Sequence, residues 1–211
     1  MAGIDMRSAA FHEAGHVVIA HRLNLGVRMV EIHFDHKLMR WNGSFEFPLP
    51  PQSIEFLQLR ELCQKGVKVS LAGVMSQMKY IASQRFADPI HFYARQELAA
   101  ALCFFKDSQR TEEHPGSLCL VFQPSDGSAP VRFEVCGIAF SASDYRQYNQ
   151  FLACSGLSEE AIVREVMNMV DDPSVWRLIE IVADSIIAQP AVGDEQRRIL
   201  NEPLLDALLS G

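Results

Sequence analysis

The stretch of this chain that says most about chemistry is His12-Glu13-Ala14-Gly15-His16, two histidines four residues apart with a glutamate after the first. On a helix, positions four apart share a face, with Cβ atoms about 5–6 Å apart. Both imidazoles can therefore turn a ring nitrogen toward one ion. Zinc takes nitrogen donors at about 2.0–2.1 Å, and its catalytic sites use three protein ligands plus a water. Glu13 would sit beside such an ion, placed to accept a proton from that water. The chemistry this spacing suits is zinc-assisted hydrolysis, with two ligands and a base on one helical turn.

Positioning that turn requires a helix, and the flanking residues supply one. Ser8 to Leu23 contains no proline and reads as a buried helix, with Asp5 or Ser8 able to cap its start. Gly26 stands where a left-handed stop residue is expected. Gly15 costs this helix about 1 kcal/mol relative to alanine, which predicts a close approach by another element. Next, Val27 to Phe34 alternates, with Val30, Ile32 and Phe34 on one face and Glu31 and His33 on the other, the pattern of a half-buried strand. Asp35-His36-Lys37 turns the chain, and Asn42-Gly43 predicts a further turn before Ser44-Phe45-Glu46-Phe47. Pro48, Pro50 and Pro51 end that strand and mark it as a sheet edge. An edge strand can hold an extended peptide through main-chain hydrogen bonds, so Ser44, Phe45, Glu46 and Phe47 are candidate substrate-binding residues. An ordinary proline-terminated edge accounts for the same pattern.

Beyond the prolines, Ser53 caps a helix to about Cys63, interrupted near Gly66, and a longer one runs from about Val67 to Gln84. Asp88-Pro89 opens another, to about Phe105. Leu118–Gln123 and Val131–Val135 read as two strands around the turn-rich Pro124-Ser125-Asp126-Gly127. The remainder is read as short helices: one from Ser141 to Gly156, one after Ser158, one opened by Asp172-Pro173 and a last opened by Asp194. The expected fold is mainly α (α+β), a helical domain with a small sheet and no internal repeat.

Composition narrows the classes. The 211 residues suffice for one large domain or two small ones, and 48% hydrophobic with 21% charged residues is ordinary for a globular protein. The net charge of −7 and the scattered Lys and Arg argue against nucleic acid as partner. No apolar run reaches the ~18 residues a membrane span needs. The start of the chain lacks a basic-then-apolar secretory signal, so the default location is cytoplasmic. Five cysteines, at 63, 103, 119, 136 and 154, are odd in number and without close spacing, which argues against a disulfide framework and a zinc ribbon, and reduced core thiols are expected. Cys119 and Cys136 could face each other across a hairpin. The histidines at 21, 33, 36, 91 and 114 read as surface or hydrogen-bonded, and Phe104, Phe105 and Trp176 as core.

Two histidines do not complete a site. Donors in polar, turn-adjacent settings are Asp88, His91, His114 and Asp144, with Glu159, Glu160 and Glu180 behind them, and spacing alone does not choose among them. The chain resembles, however, the peptidase domain of the FtsH-type, membrane-anchored AAA+ zinc proteases. Ala10-Phe-His-Glu-Ala-Gly-His16 is similar to that family's metal helix. Gly43-Ser-Phe-Glu-Phe-Pro-Leu-Pro50 is similar to its Gly-Tyr-Thr strand ending in Leu-Pro. Leu71-Ala-Gly-Val-Met-Ser-Gln77 resembles its Gly-Arg-x-Ala-Glu helix, and Ser141-Ala-Ser-Asp144 its Gly-Ala-x-x-Asp element. The closing stretch from Val175 to Glu195 is similar to its carboxy-terminal helices. Together these cover residues 8–85 and 141–205.

The resemblance implies a single zincin-like domain over residues 1–211, with an inserted helix and hairpin at 86–140 that have no family counterpart. It implies Zn2+ held by His12, His16 and Asp144, with Glu13 as general base in peptide-bond hydrolysis. The family's arginine and glutamate are here Val74 and Gln77, which questions the support roles of those positions. Its ATPase module and membrane anchor have no counterpart in these residues. The expected substrates are therefore flexible peptides or unfolded chains, acted on by a homo-oligomer or beside a separate ATPase. A catalytically inactive metal-binding interaction domain derived from the same fold is the alternative.

Overall fold

A computed structural model describes residues 5–47, 56–85, 118–122, 131–135 and 142–210. Among these the chain is mainly helical with a small antiparallel sheet, as the periodicity predicts. Helix α1 spans Met6–Arg22, strand β1 Met29–Asp35 and strand β2 Arg40–Glu46. Helix α2 covers Phe56–Arg85, followed by β3 (Leu118–Phe122) and β4 (Val131–Val135). Helices α3 (Ala142–Ser155), α4 (Glu159–Asp171) and α5 (Pro173–Ala188) precede β5 (Arg198–Asn201) and α6 (Glu202–Leu209).

Helix α1 starts where Asp5 Oδ1 accepts the Ser8 amide at 2.7 Å, the first of the two caps the sequence offers. It ends earlier than Gly26. Asn24 takes the left-handed conformation at φ 56°, while the Leu25 amide bonds to the Ala20 carbonyl and the Asn24 amide to that of His21. Asparagine tolerates that region because its short polar side chain can bond locally, so the glycine is not needed there. Every residue of α1 from Ser8 to Ala20 is buried. The helix is enclosed by α2, α5, β1 and β2, which explains why an apolar stripe is hard to find in it: all its faces are inside.

Helix α2 passes through Gly66 without a break. A Cβ there would lie 2.7 Å from Phe151 Cε2, so the residue read as a helix interruption is a seat for an α3 ring. The crossing of α1 and α2 is likewise built on small residues. A Cβ on Gly15 would approach the Ala72 carbonyl oxygen to 2.7 Å and crowd the Ser76 side chain. Gly15→Ala is accordingly expected to destabilise the fold by about 1–3 kcal/mol in denaturant titration, since a backbone carbonyl cannot step aside. A change smaller than the ~1 kcal/mol that helix propensity would return to alanine would contradict this packing.

In the three-stranded sheet the order is β2-β1-β5, both pairings antiparallel, so β2 is an edge strand. Val30 and Ile32 of β1 are fully buried, as their alternation predicts. The reversal between β1 and β2 falls at residues 36–39, where Asp35 Oδ1 accepts the Lys37 and Leu38 amides. Asn42 and Gly43 are not a turn but lie inside β2, opposite His33 and Ile32. The third strand, Arg198–Asn201, replaces the helix expected from Asp194 onward. It pairs with β1, and Arg198 Nη1 donates to the Ile187 and Gln189 carbonyls at the end of α5.

The β3–β4 hairpin forms as predicted, with Glu134 rather than Cys136 opposite Cys119. Cys136 and the helix expected from Asp88 lie outside the described residues, as do Ser53, the prolines at 48, 50 and 51, His91 and His114. Ser158 caps α4 through the Ala161 amide, and Asp172 caps α5 through the Ser174 and Val175 amides, both as read. Trp176 packs against the core, where Phe11 stacks on Tyr80 at 4.2 Å and tilts toward the indole at 5.5 Å.

Candidate metal centre

One turn of α1 turns His12, Glu13 and His16 to a common point, their candidate donor atoms all within 4.8 Å of one another. All three residues are buried. The imidazole rings meet edge to face, with centroids 4.8 Å apart and planes at 76°. Among the described residues this is the group that could hold a metal ion.

The second helix sets the rings' chemistry. His16 Nδ1 lies 2.7 Å from the Val69 carbonyl oxygen. A carbonyl can only accept, so Nδ1 carries the proton and Nε2 is the nitrogen with the lone pair. His12 Nδ1 lies 3.1 Å from Gln77 Oε1 and is fixed the same way. Both histidines thus leave Nε2 as the nitrogen that a neutral ring can offer to a metal.

Gln77 holds the His12 ring through its side-chain amide. The amide oxygen supplies the acceptor a carboxylate would, but without a charge to make the imidazole more basic. Gln77→Leu keeps the volume and removes the acceptor, and is expected to weaken metal affinity about 10–100-fold in a competition titration with a chromophoric chelator. Val74 is buried core.

Glycines shape the space around these side chains. A Cβ on Gly73 would crowd His16 Nε2 most closely, with the flanking Cε1 at 2.5 Å and Cδ2 at 2.8 Å. That point lies over the face of the ring and not along the lone pair. Phe45 of β2 stacks on the same imidazole with centroids 4.7 Å apart and planes at 19°, so the ring is held between α2 and the sheet edge. A Cβ on Gly43 would lie 2.6 Å from Glu13 Oε1. The strand can therefore pass directly over the Glu13 carboxylate only because residue 43 is glycine.

The four residues of the predicted substrate strand do not act alike. Phe45 faces His16 of α1, and Phe47 follows it at a ring distance of 5.8 Å. Ser44 and Glu46 are exposed on the opposite side, where the Ser44 hydroxyl lies 3.4 Å from Glu31 Oε1. Of the third-ligand candidates, Glu159 accepts from the Tyr148 hydroxyl at 3.2 Å, and neither it nor Glu180 joins the histidine cluster. Asp144 belongs to the first turn of α3, but its side chain lies outside the described residues, as does that of Glu160. His21 and His36 are exposed and His33 half-buried, all three apart from the cluster.

Sequence reasoning did not find Val69 or Gln77 as partners of the ring nitrogens, nor Gly73 and Gly43 as the residues that make room. The run Leu71-Ala-Gly-Val-Met-Ser-Gln77 held a signal in its small residues, which suit a close helix crossing. No helix among the described residues is long and apolar enough to cross a membrane. No protein-family model matches the chain, and no curated protein matches it either.

Proposed function

We propose that this chain is a zinc-dependent metallopeptidase that hydrolyses peptide bonds in flexible or unfolded polypeptides. The observation that carries the reading is the pair of buried imidazoles on one helical turn, each with Nδ1 committed to α2, beside a buried carboxylate. Two nitrogen donors with a carboxylate suit zinc, a borderline ion, better than calcium or magnesium, which prefer all-oxygen sites.

Asp144 is the proposed third ligand. Its support is the direction of α3. Arg60 and Gln64 of α2 bond to the Ser155 carbonyl, whereas Gly66 meets Phe151, so the two helices run antiparallel. Going back along α3 toward residue 144 is therefore going forward along α2, toward the Gly73–Gln77 stretch that cradles the histidines.

When bound, zinc would lower the pKa of a water ligand toward about 7 and polarise the scissile carbonyl. Glu13 is the base that takes the proton from the attacking water and passes it to the departing amine nitrogen. Its carboxylate is confined between α1 and the backbone of Gly43, which limits the positions it can adopt. The edge of β2 holds the substrate backbone as an added strand, with Phe45 walling the site at His16.

A metal-binding interaction domain without turnover is the rival reading, and the exchange of a glutamate for Gln77 is what favours it. The expected result is one zinc per chain, with cleavage of a denatured protein or peptide library that stops on chelation and returns with zinc. Asp144→Asn should weaken metal binding about 10-fold or more. Stoichiometric zinc without cleavage of any library member would leave the interaction domain standing.

A further inference from the structure

We infer that Cys63 and Cys154 are a reversible redox pair, closing a disulfide between α2 and α3 when the surroundings oxidise. This inference does not depend on the peptidase reading. It starts from the way the two helices face each other.

Arg60 Nε and Gln64 Nε2 both donate to the Ser155 carbonyl, at 3.2 and 3.0 Å. Two residues further along α2, Gly66 lets the Phe151 ring sit against the helix backbone. Cys63 lies between these contacts on α2, and Cys154 lies between their partners on α3. Spacings of three and four residues put Arg60, Cys63 or Gln64, and Gly66 on one face, and likewise Phe151 with Cys154 and Ser155. The two thiols accordingly lie on facing stretches of α2 and α3, and the Cys154 thiol is near enough to raise the pKa of Cys63. Both are free thiols in the structure.

Their settings differ in a way that assigns roles. Cys63 is buried, and burial, reinforced by the neighbouring sulfur, pushes its thiol pKa up. Cys154 is exposed on the outer side of the contact and is the thiol an oxidant can reach. With glutathione disulfide as oxidant, the Cys154 thiolate attacks one sulfur of the oxidant, its S–S bond breaks, and one glutathione thiolate leaves. Cys63, losing its proton, then attacks Cys154 in that mixed disulfide and expels the second glutathione. The protein loses two protons and two electrons, which the glutathione disulfide takes up to become two glutathiones. No path for the oxidant to the buried thiol is needed, because the intermediate already sits beside it.

The bond would close a loop containing all of 64–153 and would tie the C-terminal end of α3 to α2.

The test uses the full chain, reduced and then equilibrated in glutathione buffers of increasing oxidation, acid-quenched, alkylated and mapped without reduction. The expected product is a Cys63–Cys154 cross-linked peptide pair that disappears with dithiothreitol, with a Tm raised by about 5–10 °C in the oxidised form. Cys154→Ser, at an exposed position, should keep the reduced protein's Tm, abolish the cross-link and leave Cys63 unmodified by glutathione. Cys154 retaining one glutathione, or either cysteine pairing instead with Cys103, Cys119 or Cys136, would overturn the inference. An unchanged Tm on formation of the mapped cross-link would overturn its clamping role.

Discussion

Glu13→Gln is expected to keep one zinc per chain and to lower kcat/KM for peptide hydrolysis by about 10²–10⁴-fold. General-base transfer contributes rate factors of this size, and an amide nitrogen cannot accept the proton that a carboxylate accepts. Glutamine is chosen because space at this position is set by Gly43: a side chain of the same length and volume stays under β2, whereas a longer one would lift the strand. The metal should stay because the two imidazoles are oriented by Val69 and Gln77, neither of which the substitution touches. Metal content by emission spectroscopy and initial rates on a quenched fluorescent peptide supply the two readouts. Undiminished hydrolysis by this variant would remove Glu13 from the reaction and the proposed mechanism with it.

Gly73→Ala is expected to have the second largest effect, weakening zinc binding by about 100-fold or more without unfolding the protein. Its methyl would lie over the His16 ring at distances real Cβ atoms do not show. Three constraints keep that ring from yielding: its bond to the Val69 carbonyl, Phe45 against its plane, and the buried Ser8–Ala20 stretch of helix on which it stands. Relief must come from rotation of the imidazole, which breaks the Nδ1 bond and turns Nε2 off the ion. Misorienting a ligand costs at least what losing its outer partner costs, a 10–100-fold loss of affinity. Helix propensity works the other way, since alanine is favoured over glycine within α2 by about 1 kcal/mol. The variant should therefore show a near-normal Tm in metal-free buffer but little of the stabilisation that saturating zinc gives the parent chain. Equal zinc stabilisation of the two proteins would mean that Nε2 of His16 is not a ligand atom.

How far the sequence reaches can be judged element by element. Asp5, Ser158 and Asp172 name their helix starts because a capping bond joins residues two or three apart, and local chemistry decides it. The alternation of Val30 and Ile32 identifies β1 for the same kind of reason, a fixed two-residue period against one buried face. Glycine misleads where its role is not local. Gly66 and the Asn42-Gly43 pair read as breaks, yet both glycines lie inside regular elements where another chain segment comes too close for a methyl. Strand β5 carries four residues and no strong alternation, so its existence depends on the free edge of β1.

The histidine pair and Glu13 were legible without coordinates, because a spacing of four on any helix brings their side chains to one side. The sequence by itself determined that such a turn exists, that it lies in a buried helix, and that two imidazoles and a carboxylate share it. Only the tertiary structure decided which nitrogen each ring offers, because that depends on Val69 and Gln77, more than fifty residues away. It likewise decided that an edge strand covers the carboxylate, through the close approach that Gly43 permits. A helical turn is specified by neighbours along the chain, whereas a ring's tautomer and the room around it are specified by whatever packs against it.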